Sequence, residues 1–231
     1  MPTVPYHAGM ASESKRHRIE RMHDEYQILC EEFPAPACAL HFTNPFELLT
    51  ATILSAQTTD KRVNTVTPAL FSRYPGPAEL AAARVEDVED IIRPLGFYHA
   101  KSRNIVAMAH DVHERFGDTV PHTMDELTSL PGVGRKTANV VLGNAFGVPG
   151  FPVDTHVIRV TGRMRWRTDW RSVHPDPVHI EREITACFPP EEWTDLSHRL
   201  ILHGRATCHA RNPDCAACPL NDTCPSAGIF G

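Results

Sequence analysis

The run Leu130-Pro131-Gly132-Val133-Gly134-Arg135-Lys136-Thr137-Ala138-Asn139 sets the strongest limit on this chain, because it joins a Gly-rich hairpin directly to a helix that begins with two cations. Ahead of it, Thr123-Met124-Asp125-Glu126 has the form of a capping box and predicts a short helix over residues 123–130. Behind it, residues 135–146 place Ala138, Val141, Leu142 and Ala145 at helical spacing, with Gly147 suited to end the helix. The expectation is helix, hairpin, helix across about residues 123–147. Pro131 stops the first helix, and Gly132 and Gly134 permit positive φ and remove Cβ atoms, so that successive N–H groups can point outward together. Such a nest at a helix N-terminus binds anions. A nucleotide loop needs a preceding strand and the pattern G-x-x-x-x-G-K-[ST], and neither is present, so the expected ligand is a phosphodiester backbone. That makes Gly132, Val133, Gly134 and Arg135 candidate nucleic-acid contacts. A bare Pro-Gly-x-Gly serves equally as a plain interhelical turn, so the assignment depends on what surrounds it.

The surroundings are helical. Residues 14–32 form one expected helix, ended by Phe33-Pro34. Asn44 can cap the next with Pro45 in its first turn, and Phe46, Leu48, Leu49, Ile53 and Leu54 then make an apolar stripe. Asp60 is the expected cap of a helix running to Tyr74, and further helices are expected over 85–94, 99–116, 154–164, 177–188 with Asp176 as cap, and 191–207. No alternating strand pattern appears, so the fold class is all-α. Residues 1–14 mix Pro, Gly and polar residues without periodicity and read as a flexible extension. No stretch approaches the roughly 18 apolar residues of a membrane span, and no secretory leader is visible, which points to a cytosolic setting.

The formal charge of −5 argues against a polyanionic partner, but the charge is unevenly spread. Residues 154–171 hold Arg159, Arg163, Arg165, Arg167 and Arg171 against Asp154 and Asp169; residues 197–213 hold three arginines and no acid; residues 79–90 are acidic. A polarised surface is the expectation. Cys208, Cys215, Cys218 and Cys224 follow the pattern C-x6-C-x2-C-x5-C. With no leader to suggest an oxidising compartment, these are expected to be metal ligands, and four thiolates suit either zinc or an iron–sulfur cluster. The ligation would fold a C-terminal segment too short to build its own core. Cys30, Cys38 and Cys187 read as ordinary apolar-context thiols.

Taken together, Leu54-Ser55-Ala56-Gln57-Thr58-Thr59-Asp60, the hairpin with Lys136, Val153-Asp154-Thr155-His156, Leu200-Ile201-Leu202-His203-Gly204-Arg205 and the cysteine spacing resemble the endonuclease III family, in order, from about Arg18 to Pro225. The resemblance implies two helical domains flanking a DNA-binding groove: a six-helix barrel over 38–148, and an iron–sulfur domain formed by 15–37 with 149–231. It implies a 4Fe-4S cluster on Cys208, Cys215, Cys218 and Cys224, and Lys136 and Asp154 as the catalytic pair facing each other across the groove. Lys136 would attack C1′ of the deoxyribose, and the resulting Schiff base would permit β-elimination of the 3′ phosphate. Asp154 would stabilise cationic character as the glycosidic bond breaks. Gln57 falls where the family inserts a glutamine into the base stack. Phe97, in Gly96-Phe97-Tyr98, falls where the family usually has a leucine wedge, and an aromatic there could stack on a base. Arg211, in the loop between Cys208 and Cys215, is expected to contact phosphate, with Asn212 and Asp214 beside it weakening that contact. The implied substrate is double-stranded DNA bearing oxidised pyrimidines such as thymine glycol, or abasic sites, and the implied form is a monomer acting at the nucleoid.

Overall fold

A computed structural model describes residues 13–229, and among these every regular element is helical. The order is α1 (Lys15–Glu32), α2 (Pro45–Leu54), α3 (Asp60–Arg73), α4 (Pro77–Ala81), α5 (Val85–Ile92), α6 (Tyr98–Phe116), α7 (Met124–Thr128), α8 (Arg135–Ala145), α9 (Thr155–Arg163), α10 (Pro177–Thr185), a 3-10 turn (Pro190–Glu192) and α11 (Trp193–Ala206). The expected flexible extension falls largely on residues 1–12, outside the described residues. Its last two residues do have structure: Ser14 caps α1, and the Glu13 carboxylate pairs with Arg21 at 2.8 Å.

Two compact units result. One comprises Met1–Ala35, Thr155–Cys187 and Arg199–Gly231; the other comprises Pro36–Asp154 and Phe188–His198. The second unit therefore takes residues 149–154 and the first half of α11, which the sequence reading assigned to the iron–sulfur domain. The reason is local bonding: the Thr194 hydroxyl donates to Gly150 O at 3.1 Å, the Ser197 hydroxyl to Pro152 O at 2.8 Å, and His198 meets Asn144 at 2.8 Å.

Helix α2 is the axis of the second unit. Asn44 Oδ1 accepts from Glu47 N at 3.0 Å, and Glu47 Oε2 accepts in turn from Thr43 N at 2.6 Å, so the helix start is fixed from both directions. The expected apolar stripe is instead a helix buried all round: Phe46 and every residue from Leu48 to Leu54 are inside. Helices α3, α6 and α8 pack against it. Thr52 escapes the cost of a buried hydroxyl by donating to Leu48 O at 2.7 Å. The sequence places the α3 cap one residue late: Thr59 is the cap, its hydroxyl accepting from Arg62 N at 3.3 Å, and Asp60 lies in the first turn where its charge favours the helix dipole. Helix α4, with Pro77 at its start, was not expected.

In the first unit, α1 buries Met22, Tyr26 and Leu29, and with them the carboxylate of Glu25, which is 0% exposed. Trp166 Nε1 donates to Glu25, and Arg21 Nη1 reaches both its oxygens at 3.1 and 3.0 Å and Met164 O at 2.8 Å. Burial holds the Glu25 carboxyl above the ordinary carboxylate range, against the opposing pull of Trp166 and Arg21. A carboxyl raised in this way stabilises the fold fully at pH below its unfolded range, and that contribution declines as pH rises through the folded value. Glu25→Ala leaves the Arg21 and Trp166 donors without their acceptor and is expected to cost about 3 kcal/mol or more in urea unfolding. Glu25→Gln is expected to remove the decline with rising pH, and an unchanged pH profile would contradict this placement.

Candidate active site and DNA interface

Helix α7 ends at Thr128, two residues earlier than expected, and Leu130 is buried as the chain enters the hairpin. Gly132 has φ 76°, and a Cβ there would lie 3.0 Å from that of Asn104, so both conformation and space require glycine. Gly134 does not need that freedom: its φ is −95°, and a Cβ would meet nothing within 4 Å. Val133 corrects the expected nest. Its side chain is 7% exposed and packs in the core, and its N–H donates to Leu130 O at 3.2 Å. The hairpin thus spends one N–H on closing its own turn. The open donors belong to the start of α8, which no side chain caps. Arg135 and Lys136 stand in that first turn, both exposed.

The residues leading to Asp154 are held against α8. Gly150 passes so close that a Cβ would lie 2.6 Å from Asn139 O, and Asn139 Nδ2 donates to Phe151 O at 3.4 Å. Phe151 is 1% exposed, Val153 is buried, and Pro152 O is bonded to Ser197. This segment delivers Asp154, half-buried, immediately before α9. Lys136 and Asp154 therefore belong to one compact unit, built on α8 and its neighbouring segment.

Gln57 and Phe97 share an unusual backbone. Both are in the left-handed region, with φ of 53° and 58°, and both are exposed, Phe97 by 67%. A bulky residue there is strained, and such strain clusters at functional sites. Sequence inspection cannot reveal this coincidence.

Four of the arginines expected on the basic surface, Arg159, Arg163, Arg167 and Arg199, are internal wiring. Arg159 donates to Cys208 O at 3.1 Å and Gly204 O at 2.8 Å; Arg163 donates to His209 O at 2.6 Å and Ala210 O at 3.0 Å; Arg167 is 3% exposed and pairs with Asp169. Arg199 is bonded to Tyr26 and Phe33 O. Charge counting missed this because a guanidinium carries five donors, and backbone carbonyls of an irregular segment need them. Arg211 is exposed, in the loop 208–215; Asp214 in that loop accepts from Ala217 N at 3.3 Å, a local turn contact.

Cys208, Cys215, Cys218 and Cys224 ring a small cavity of about 30 Å³, and all are free thiols. Among the described residues no three side chains of ligand type are close enough to hold a single ion. Burial pushes the Cys218 thiol up to about 11 and raises Cys224 as well, so both are neutral without a metal. Donors nevertheless point at the sulfurs: Arg163 Nη1 lies 3.4 Å from Cys208 Sγ, and His203 Nε2 lies 3.8 Å from Cys218 Sγ, its other nitrogen 3.2 Å from Glu32. This fits an anionic thiolate–iron group, with His203 and Glu32 as outer supports that the sequence reading overlooked. Their signal was a histidine five residues before Cys208, on the helix that leads to it.

Comparisons with known proteins bear on both regions. Residues 50–190 match the HhH-GPD superfamily of base excision DNA repair proteins, and residues 208–224 match the iron–sulfur binding domain of endonuclease III. Endonuclease III of Synechocystis sp. is 46% identical over 201 residues, covering 87% of this chain and 90% of the relative. Two solved structures, a non-covalent endonuclease III–DNA complex and a trapped endonuclease III–DNA covalent intermediate, each superpose with a TM-score of 0.83 at 41% identity, covering 90% of this chain and 96% of the other.

Gly150→Ala is expected to force the segment away from α8, costing about 2 kcal/mol in thermal unfolding. A stability equal to the parent would show that the close approach is not a constraint.

Proposed function

The chain belongs to the endonuclease III family of the HhH-GPD superfamily, and on that premise we propose the following assignment of roles in its DNA glycosylase and abasic-site lyase reaction. Lys136 is the nucleophile, attacking C1′ of the damaged nucleotide. The Schiff base it forms acidifies the C2′ proton, and the 3′ phosphate leaves by β-elimination. Asp154 stabilises positive charge at C1′ as the base departs and shuttles protons. Gln57 and Phe97 occupy the space left by an extruded nucleotide. The uncapped start of α8, with Gly134 and Arg135, takes a phosphate, and Arg211 contacts the backbone from the cysteine loop. Gly132 and Val133 shape the hairpin.

The observation that carries this reading is an exposed lysine in the first turn of an uncapped helix, in the same unit as an aspartate that follows the Gly150 crossing of that helix by four residues. A lysine so placed meets the sugar at the moment a phosphate is held by the helix start. The substrates follow from the family: duplex DNA with oxidised pyrimidines such as thymine glycol, or with abasic sites, acted on by a monomer at the nucleoid.

The four cysteines bind the 4Fe-4S cluster, which supplies a structural centre for the C-terminal segment. Arg159 and Arg163 tie the carbonyls of residues 208–210 to α9, so the start of the loop bearing Arg211 is held.

Borohydride trapping on abasic and thymine glycol duplexes tests the reading. Lys136→Ala is expected to abolish capture, and persistent capture would place the nucleophile elsewhere. Asp154→Asn is expected to bind abasic DNA while turning over about 10²-fold more slowly or worse; a near-normal rate would reduce Asp154 to a helix cap. Arg211→Ala is expected to weaken binding to all sequences and to lower the salt-dependence slope by about one. Loss confined to one lesion would contradict a backbone contact.

A further inference from the structure

Lys101, in the second turn of α6, is 4% exposed, and its ammonium donates to the Thr58 hydroxyl at 2.6 Å. No carboxylate pairs with it among the described residues. Burial alone moves its pKa, downward. Burying an ammonium against one neutral hydroxyl is expensive, so the interaction is poorly explained as a source of stability.

Its position explains it better. Thr58 follows Gln57, and its hydroxyl also donates to Ala56 O at 3.4 Å, so it is built into the turn that holds Gln57 in its left-handed conformation. Lys101's own N–H donates to Phe97 O at 3.1 Å, the bond that begins α6 and retains Phe97 in the same unusual conformation. One residue thus holds the Phe97 turn by its backbone and the Gln57 turn by its side chain. A second tie runs parallel, from Arg62 Nε at the start of α3 to Pro94 O at 3.1 Å, just ahead of Gly96 and Phe97.

We propose that Lys101 is a positioning residue for nucleotide extrusion, bolting the Gln57 turn to the Phe97 turn through Thr58 so that the two side chains enter DNA as one preset unit. This rests on the reading above that Gln57 and Phe97 enter the stack. Pre-setting matters because displacing the wedges by about an ångström costs on the order of a hundredfold in a geometry-limited step. The buried ammonium lowers stability and, in exchange, fixes one arrangement.

The test uses the full-length, cluster-loaded protein on a duplex carrying 2-aminopurine opposite a stable abasic analogue, where unstacking of the probe reports insertion as a fluorescence rise. Borohydride trapping on a natural abasic duplex runs beside it. Lys101→Met is expected to fold with an equal or higher melting temperature and to slow the fluorescence rise by about tenfold or more. Thr58→Val is expected to do the same, Thr58→Ser to restore most of the rate, and the double variant Lys101→Met/Thr58→Val to be no slower than either single variant. If Lys101→Met does not fold, the Thr58 pair decides. Parent-like insertion in Thr58→Val or Lys101→Met, or effects that add in the double variant, would overturn the proposal. Failure of the parent protein to be trapped would instead overturn the glycosylase and lyase reading on which it rests.

Discussion

The second unit depends on the point where Gly150 crosses the backbone of Asn139. A Cβ there would sit 2.6 Å from a carbonyl oxygen, which any other residue would have to push aside. The crossing brings an extended segment flat against α8, lets Phe151 and Val153 bury, and ends at Asp154. Helix α8 is in turn packed against α2, which is buried on all sides. A rigid helix presents Lys136 at its open end, and a rigid segment presents Asp154. Catalysis by covalent attack needs such fixed geometry far more than it needs strong binding.

Polar groups in this protein are used to place other groups. Lys101 ties two turns together, Glu25 gathers Arg21 and Trp166, and Arg159 and Arg163 hold the carbonyls around Cys208. The helix that carries Lys136 has no side-chain cap, and it is the uncapped start at which Arg135 and Lys136 both stand exposed. An open helix start with two exposed cations in its first turn is an arrangement that suits an anion.

What the sequence revealed follows this division. Locally encoded features were legible: the caps Asn44, Thr123 and Asp176, the hairpin and the cysteine spacing all depend on neighbours a few residues away. Features set by distant packing were not. The arginine run after Asp154 looks like a basic face, yet Arg159 and Arg163 turn inward because the cysteine segment offers carbonyls that the sequence does not show as close. Val133 reads as part of an outward-facing nest until the core claims its side chain. Lys101 is one cation among many in a helix until burial and Thr58 distinguish it. The left-handed backbone at Gln57 and Phe97 was invisible for the same reason, since neither residue type announces positive φ.

The central claim is that the chemistry proceeds through Lys136 at the open end of α8. The most direct measurement is to capture the protein on abasic DNA with borohydride, digest the adduct, and locate the sugar-modified residue by mass spectrometry. The account predicts modification on Lys136 alone, in the peptide that follows the hairpin. Modification at Lys101, at the N-terminal amine or at any other lysine would contradict it.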